Sequence, residues 1–287
     1  MFLMNISDLT TRLVLENDIW NARSSGKINF PEDSYNQCFE VEDKSFWFKH
    51  RNDCIVSVVK HFHSGTFILD IGGGNGFVSY ALQQKGIKTY MMEPGQDGIM
   101  NAKKRGVKNL IMSTLETAGF RHSTIPSIGI FDVLEHIEDD RGFLQNIKNH
   151  LTPGGKLFIT VPAFQALWSE NDEYAGHMRR YSVPQLEELL VKTGFEINYS
   201  SYFFSVMLPF IFLCRKRAGI AGGKKKIKKV SEAAKNSLRM PFLLSPFFNC
   251  IWKLELFMVK RKMKIPAGSS IIIVAERSKY CQSCCLH

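Results

Sequence analysis

Four groups of residues have the types and spacing that chemistry needs. Residues 70–76 read Asp-Ile-Gly-Gly-Gly-Asn-Gly. Glycines at 72, 74 and 76 remove side chains so that the backbone can wrap closely around a ligand, and Asp70 offers a carboxylate that can bind an ammonium, directly or through water. Glu93 follows 23 residues later, which suits an acceptor pair for two ribose hydroxyls. Asp132, Glu135 and His136 are spaced i, i+3, i+4, so a helical turn would set them on one face. Oxygen and imidazole ligands in that arrangement can hold Mg²⁺ or Zn²⁺, but three ligands do not define a site, and a helix-start packing role stands beside that reading. His177 lies in WSENDEYAGHMRRYS (168–182), a stretch rich in Trp, His, Arg and acids for a mere connection. A histidine of near-neutral pKa can take a proton from a hydroxyl nucleophile, and both His136 and His177 are candidates for that base. For His177 the alternative is a loop hydrogen bond that orders Arg179, Arg180 and Tyr181.

The elements that must position these groups follow from the apolar pattern. TFILDI (66–71) is a short β-branched and aromatic run closed by glycines, and FVSYALQQKG (77–86) has helical spacing. The alternation continues through strand KTYMME (88–93), a helix over 95–105, and strands NLIMST (109–114) and SIGIFD (127–132). A helix over 139–151, strand KLFITVP (156–162), a helix over 183–192 and strand FEINYSSYF (195–203) follow, with SSIIIVAER (269–277) as the last strand. This order predicts an α/β fold: a doubly wound, mostly parallel sheet whose ligands bind at the carboxyl ends of the strands. The division expected is a helical cover over 1–63 without a clear strand, a core of 64–203 plus 269–278, an insertion over 204–268 and a tail over 279–287. A dinucleotide fingerprint is absent, because counting from Gly72 puts Phe77 at its third glycine, and no Gly-Lys-Ser/Thr completes a P-loop.

Taken in order, LDIGGGNG (69–76), MMEP (91–94), FDVLEHIED (131–139) and LTPGGKLFITVP (151–162) resemble the motifs of class I S-adenosylmethionine-dependent methyltransferases. The closest flavour is the small-molecule and quinone-type O-methyltransferases, including those of ubiquinone biosynthesis. The resemblance implies a seven-stranded Rossmann-like sheet with N-terminal helices and a helical insertion before the last strand, and S-adenosyl-L-methionine as cofactor. It implies that Gly72, Gly74 and Gly76 line the methionine and ribose portion, Asp70 meets the amino group and Glu93 the ribose hydroxyls. Phe131 and Asp132 would face the sulfonium. Arg51, in the aromatic SFWFKHRN (45–52), would bind the methionine carboxylate, against the alternative of a solvent-exposed arginine. Where the family often has an acid for the adenine amine, this chain has Ser113 and Thr114 with Glu116 further on, and Thr114 is taken as the cofactor contact. The implied activity is methyl transfer to an oxygen or nitrogen of a small or lipophilic acceptor, with an RNA methyltransferase or a non-catalytic cofactor-binding protein as alternatives.

The chain has 287 residues, 45% hydrophobic and 22% charged, which excludes a wholly disordered, collagenous, coiled-coil or polytopic membrane protein. Lys and Arg outnumber Asp and Glu by 37 to 27, so an anionic partner is to be considered. The excess is concentrated in the insertion, where YFFSVMLPFIFLCRKR, AGIAGGKKKIKKV and PFLLSPFFNCIWKLELFMVKRKMK alternate apolar and basic stretches. Such a segment suits an anionic membrane surface, and equally an apolar lid over the site with a solvated lysine loop. Nucleic acid ranks third, since the lysines are not interleaved with stacking aromatics. Seven scattered cysteines do not form a disulfide framework, and the tail CQSCCLH (281–287) reads as a frayed end rather than a metal site. No secretory signal and no stretch of about 20 clean apolar residues is found, so the expectation is a cytoplasmic protein, peripheral at a membrane if the insertion contacts one. The sequence does not specify an oligomeric state.

Overall fold

Nine strands join in one sheet in the computed structural model, which describes residues 6–22, 32–205, 208 and 245–279. They are β1 (Leu13–Glu16), β2 (Ile19–Ala22), β3 (Ile68–Ile71), β4 (Thr89–Met92), β5 (Leu110–Met112), β6 (Ile125–Phe131), β7 (Leu151–Pro162), β8 (Phe195–Phe203) and β9 (Ser270–Arg277). Their order is β1-β2-β5-β4-β3-β6-β7-β9-β8. From β2 to β7 every neighbouring pair is parallel, and β9 runs antiparallel to both β7 and β8. The chain leaves the central β3 toward β4 and β5 on one side and then crosses to β6 and β7 on the other. Crossovers to opposite sides open a crevice beyond the carboxyl ends of β3 and β6.

The predicted sheet is therefore present with two more strands than the seven expected, and the N-terminal region is not purely helical. Asn17 and Asp18 both adopt positive φ, 51° and 66°, in a two-residue turn that closes the β1–β2 hairpin. Asn and Asp tolerate that conformation better than other non-glycine residues, and it matches the twist of a hairpin. β2 then adds parallel to β5 and covers that edge of the sheet. The rest of this region supplies the helices α1 (Glu32–Glu42) and α2 (Phe46–Phe62).

Both sheet faces are apolar because the central strands are continuous hydrophobic runs rather than alternating ones. Leu69, Ile128, Ile130, Ile159 and Ile273 fill one layer; Ile55, Ile68, Leu82, Phe158 and Val274 fill the other. Each such side chain, fully buried, stabilises the fold by about 1.5–3 kcal/mol. The helices after β3 and β4 are α3 (Phe77–Gln84) and α4 (Gln96–Arg105), followed by the short α5 (Leu115–Ala118) after β5 and α6 (Asp140–His150) after β6. α7 (Glu170–Ala175) and α8 (Val183–Lys192) lie between β7 and β8, and α9 (Ser245–Lys260) lies within the expected insertion and precedes β9.

One buried carboxylate ties three of these parts together. Glu255 of α9 accepts from the backbone N–H of Phe204 (2.9 Å) and of Ser205 (2.8 Å), and from the Ser205 hydroxyl (2.6 Å), just past the end of β8. It also pairs with His50 Nε2 of α2 at 2.7 Å. Burial alone would raise the Glu255 pKa, but the His50 and Ser205 hydrogen bonds outweigh it and hold the carboxyl below its usual range. Trp252 of the same helix stacks on Phe46 with ring centroids 4.4 Å apart. No helix of the described residues is long and apolar enough to cross a membrane. The apolar run of 209–214, the lysine cluster of 224–229 and the tail motif of 281–287 lie outside the described residues.

Candidate functional site

The turn from β3 into α3 places Gly72, Gly74 and Gly76 at φ of 70°, 55° and 75°, which L side chains rarely adopt. Their surroundings separate their roles. A Cβ on Gly72 would sit 2.6 Å from Val133 Cγ2, and one on Gly76 would sit 2.7 Å from Val107 and 2.8 Å from the Ala102 side chain. Nothing lies within 4 Å of a Cβ built on Gly74, so this residue alone of the three opens onto free space. Gly72 and Gly74 border a cavity of about 1050 Å³, whereas Gly76 does not line it and instead lets α3 approach α4 closely.

Asp70 and Glu93 are two of the buried carboxylates that meet this cavity. Asp70, at the end of β3, accepts from the Ser79 hydroxyl at 2.6 Å. Burial pushes its carboxyl up to about 7, against the lowering influence of Ser79 and of Arg51. Glu93, just past β4, accepts from the Gly74 N–H on Oε2 (2.9 Å) and from the Gly95 N–H (2.9 Å) and Tyr35 hydroxyl (2.8 Å) on Oε1. Burial raises its pKa despite these three donors. Glu93 thus holds the glycine turn, the start of α4 and helix α1 to one point. Tyr35 was not among the residues singled out from sequence, because α1 carries no motif that marks it.

The opposite wall starts at Asp132, which follows β6 with φ of +60°. Its Oδ2 lies 2.7 Å from Arg51 Nε, and its Oδ1 accepts from the Thr160 hydroxyl at 2.9 Å. Arg51 is 7% exposed, so the solvent-exposed alternative for this residue does not hold; α2 directs its guanidinium into the cavity wall. Phe131 and Thr114 also line the cavity, but the Thr114 hydroxyl caps α5 through the Thr117 N–H. Ser113 and Glu116 border the same region.

His136 and His177 come together on the far side, rings edge to face with centroids 4.8 Å apart. The His177 Nδ1–H donates to Asp172 Oδ1 at 2.8 Å, which leaves Nε2 as the ring's acceptor. Asp172 is itself held by Arg180 Nε (2.8 Å) and Nη2 (3.1 Å) and by the Ser169 hydroxyl (2.9 Å). Burial would raise the Asp172 carboxyl, but the bonds from His177 and Arg180 prevail and keep it ionised well below the usual range. The His136 Nδ1–H donates to the Gly176 carbonyl at 3.2 Å, and burial together with His177 pushes His136 down to about 4. Asp172 and Arg180 were not placed in the site from sequence, although Ser169-x-x-Asp172 at a helix start is a capping signal that fixes where that carboxylate points.

Glu135, His136 and His177 each present one donor atom within 4.8 Å of the others. Asp132, grouped with Glu135 and His136 on sequence spacing, is not in this cluster, being engaged with Arg51 and Thr160. Both carboxylate oxygens of Glu135 are buried without a hydrogen-bond partner among the described residues. Burial and then the charge of Asp132 raise its pKa well above the usual carboxylate value. A carboxyl whose pKa is raised on folding binds more protons in the folded than in the unfolded state. Its contribution is present below about pH 4.3 and is lost as pH rises through the folded value. Glu135→Gln should therefore raise the melting temperature more at pH 8 than at pH 5, by about 2 °C or more per kcal/mol relieved. Thermal melts across that range check this, and a parallel shift at both pH values would show that Glu135 is ionised in the folded protein.

Residues 53–200 match the family model described as "Methyltransferase domain". The ubiquinone biosynthesis O-methyltransferase of Rickettsia canadensis is 29% identical over 115 residues, 37% of this chain and 48% of that protein. The chain thus spans about half the length of the curated relative it matches. Among solved structures, an S-adenosylmethionine-dependent methyltransferase of Thermotoga maritima superposes with a TM-score of 0.52 at 16% identity, covering 86% of this chain and 95% of that one. Phosphoethanolamine N-methyltransferase 2 of Haemonchus contortus, solved with S-adenosyl-L-methionine, gives 0.53 at 16% identity, covering 86% of this chain and 57% of that one.

Proposed function

This chain belongs to the methyltransferase-domain family, and we propose that it moves a methyl group from S-adenosylmethionine to an oxygen or nitrogen of a small or lipophilic acceptor. One observation supports this above the rest: a single cavity at the carboxyl ends of the parallel strands joins Asp70, Gly74 and Glu93 to His136 and His177. The cofactor's groups fit the first three. Asp70 has no cationic side chain in ion-pair contact among the described residues, so an incoming ammonium would favour its charged form and lower its pKa. Glu93 keeps acceptor capacity on Oε2, which takes one protein donor, for a ribose hydroxyl. The open side of Gly74 admits a ligand against the backbone.

When bound, S-adenosylmethionine supplies a methyl group already activated by its sulfonium, so holding the acceptor in line supplies much of the rate. Arg51 and Asp132 form the wall between the glycine turn and the histidines, and Phe131 excludes water there. His177, fixed through Nδ1 to Asp172, offers Nε2 to take a proton from the acceptor. His136, pushed down to about 4, is the weaker base and helps to shape the pocket. The lining on this side combines Phe143, Val133 and Pro162 with Ser169, Asn171 and Arg180, which suits an acceptor with one polar nucleophile on an apolar body.

Calorimetric titration of the purified protein with S-adenosylmethionine and S-adenosylhomocysteine tests the cofactor half. Micromolar binding of both is expected, followed by transfer of labelled methyl to phenols, quinols or amines in an acceptor panel. No binding to either ligand, by protein shown to be folded, would sink the reading.

A further inference from the structure

We infer that the outward face of α9 and the loop after it dock on an anionic phospholipid surface. This goes beyond methyl transfer and stands or falls separately from it. On its inner side the helix buries Trp252, Glu255 and Val259 against α2 and the end of β8. On its outer side Leu254 is 58% and Phe257 50% exposed, one helical turn apart, with Cys250 exposed one turn before them. Met263, 48% exposed, continues the apolar patch past the helix end.

Charge chooses the occupant. Lys253, Lys260, Arg261, Lys262 and Lys264 surround this patch and are all exposed, and none pairs with a carboxylate of the described residues. Between 250 and 264 the only acid is Glu255, which is 3% exposed and engaged by His50 and Ser205. The Arg261 guanidinium lies over the Phe257 ring, 5.3 Å from its centroid, so cation and aromatic already share one spot. An apolar stripe with an unbalanced ring of cations is what a headgroup boundary receives: the side chains enter the acyl edge and the cations meet phosphate. A neutral protein partner would leave five cations without counter-charges. Through Trp252 and Phe46 the inner side of the same helix reaches the cavity wall, so a docked molecule would present its pocket close to the lipid.

Flotation with vesicles tests this on the full chain. Vesicles of phosphatidylcholine with about 30% phosphatidylglycerol should retain at least about tenfold more protein than phosphatidylcholine alone, and salt should weaken the binding. Leu254→Glu with Phe257→Glu should lower that binding about tenfold or more, and Lys253→Glu with Lys260→Glu should lower it to a similar degree. All four side chains are exposed, and unchanged far-UV circular dichroism and S-adenosylhomocysteine affinity would show that fold and cofactor site persist. The inference is overturned if the wild type does not bind anionic vesicles. It is overturned equally if the Leu254/Phe257 variant binds like wild type while charge reversal at Lys224–Lys229 abolishes binding. A dimer that the Leu254/Phe257 variant dissolves, without vesicle binding, would assign the face to a second copy instead.

Discussion

Glu93→Ala should weaken S-adenosylhomocysteine binding by about 10- to 100-fold. The hydrogen bond from a ribose hydroxyl to a buried carboxylate oxygen would be lost, at roughly 1.5–3 kcal/mol, and every 1.4 kcal/mol is tenfold in affinity. The same change leaves the Gly74 and Gly95 N–H groups and the Tyr35 hydroxyl without their acceptor, so the glycine turn itself loosens. Glu93→Gln keeps one oxygen acceptor but sets an amide N–H₂ against a protein donor, and a smaller loss is expected. Tyr35→Phe removes only one donor and should change affinity by less than about tenfold. Asp70→Ala, at the other end of the same ligand, should match Glu93→Ala in size, through the lost ammonium. Calorimetry on variants with wild-type circular dichroism reads these effects. Full affinity in both alanine variants would mean that the ligand lies elsewhere in the cavity.

His177→Ala should lower kcat by about 10²- to 10⁴-fold while leaving cofactor affinity unchanged, the range that a positioned general base contributes. Asp172 acts through His177 and is a positioning residue, so Asp172→Asn should reduce kcat with little change in cofactor binding. A merely structural role would alter stability and leave kcat of the folded protein alone. His136→Ala should cost less than His177→Ala, because a ring pushed down to about 4 is a poor proton acceptor at neutral pH. Equal rates for wild type and His177→Ala, on an acceptor that must lose a proton, would remove His177 from the chemistry.

The parallel sheet and its glycine turn were legible because they rest on local signals: continuous apolar runs, helical spacing and glycines where φ must be positive. β8 begins and ends where the run FEINYSSYF does. The β1–β2 hairpin was not recognised, although Asn17-Asp18 between LVLE and IWNA is a two-residue turn signal; four-residue strands give the alternation too little length to stand out. Long-range partners left no trace in the pattern. Tyr35 meets Glu93 across 58 positions, and Thr160 meets Asp132 across 28. Gly76 shows what the motif leaves out, since its neighbours Ala102 and Val107 impose a packing requirement that its motif position does not display. A motif specifies residue type; only the fold specifies which side of the residue matters.

The Glu255 carboxylate has an evolutionary consequence. Because it grips the backbone at Phe204 and Ser205, the chain that departs after β8 returns to the point from which it left. Such a segment is an exchangeable cassette: lengthening or shortening it changes the closure entropy by only about 0.6 kcal/mol per doubling, and no strand or cofactor-facing turn has to move. Descendants of this chain can therefore acquire new surfaces by rewriting the residues between Ser205 and α9, while the sheet and its glycine turn are inherited unaltered.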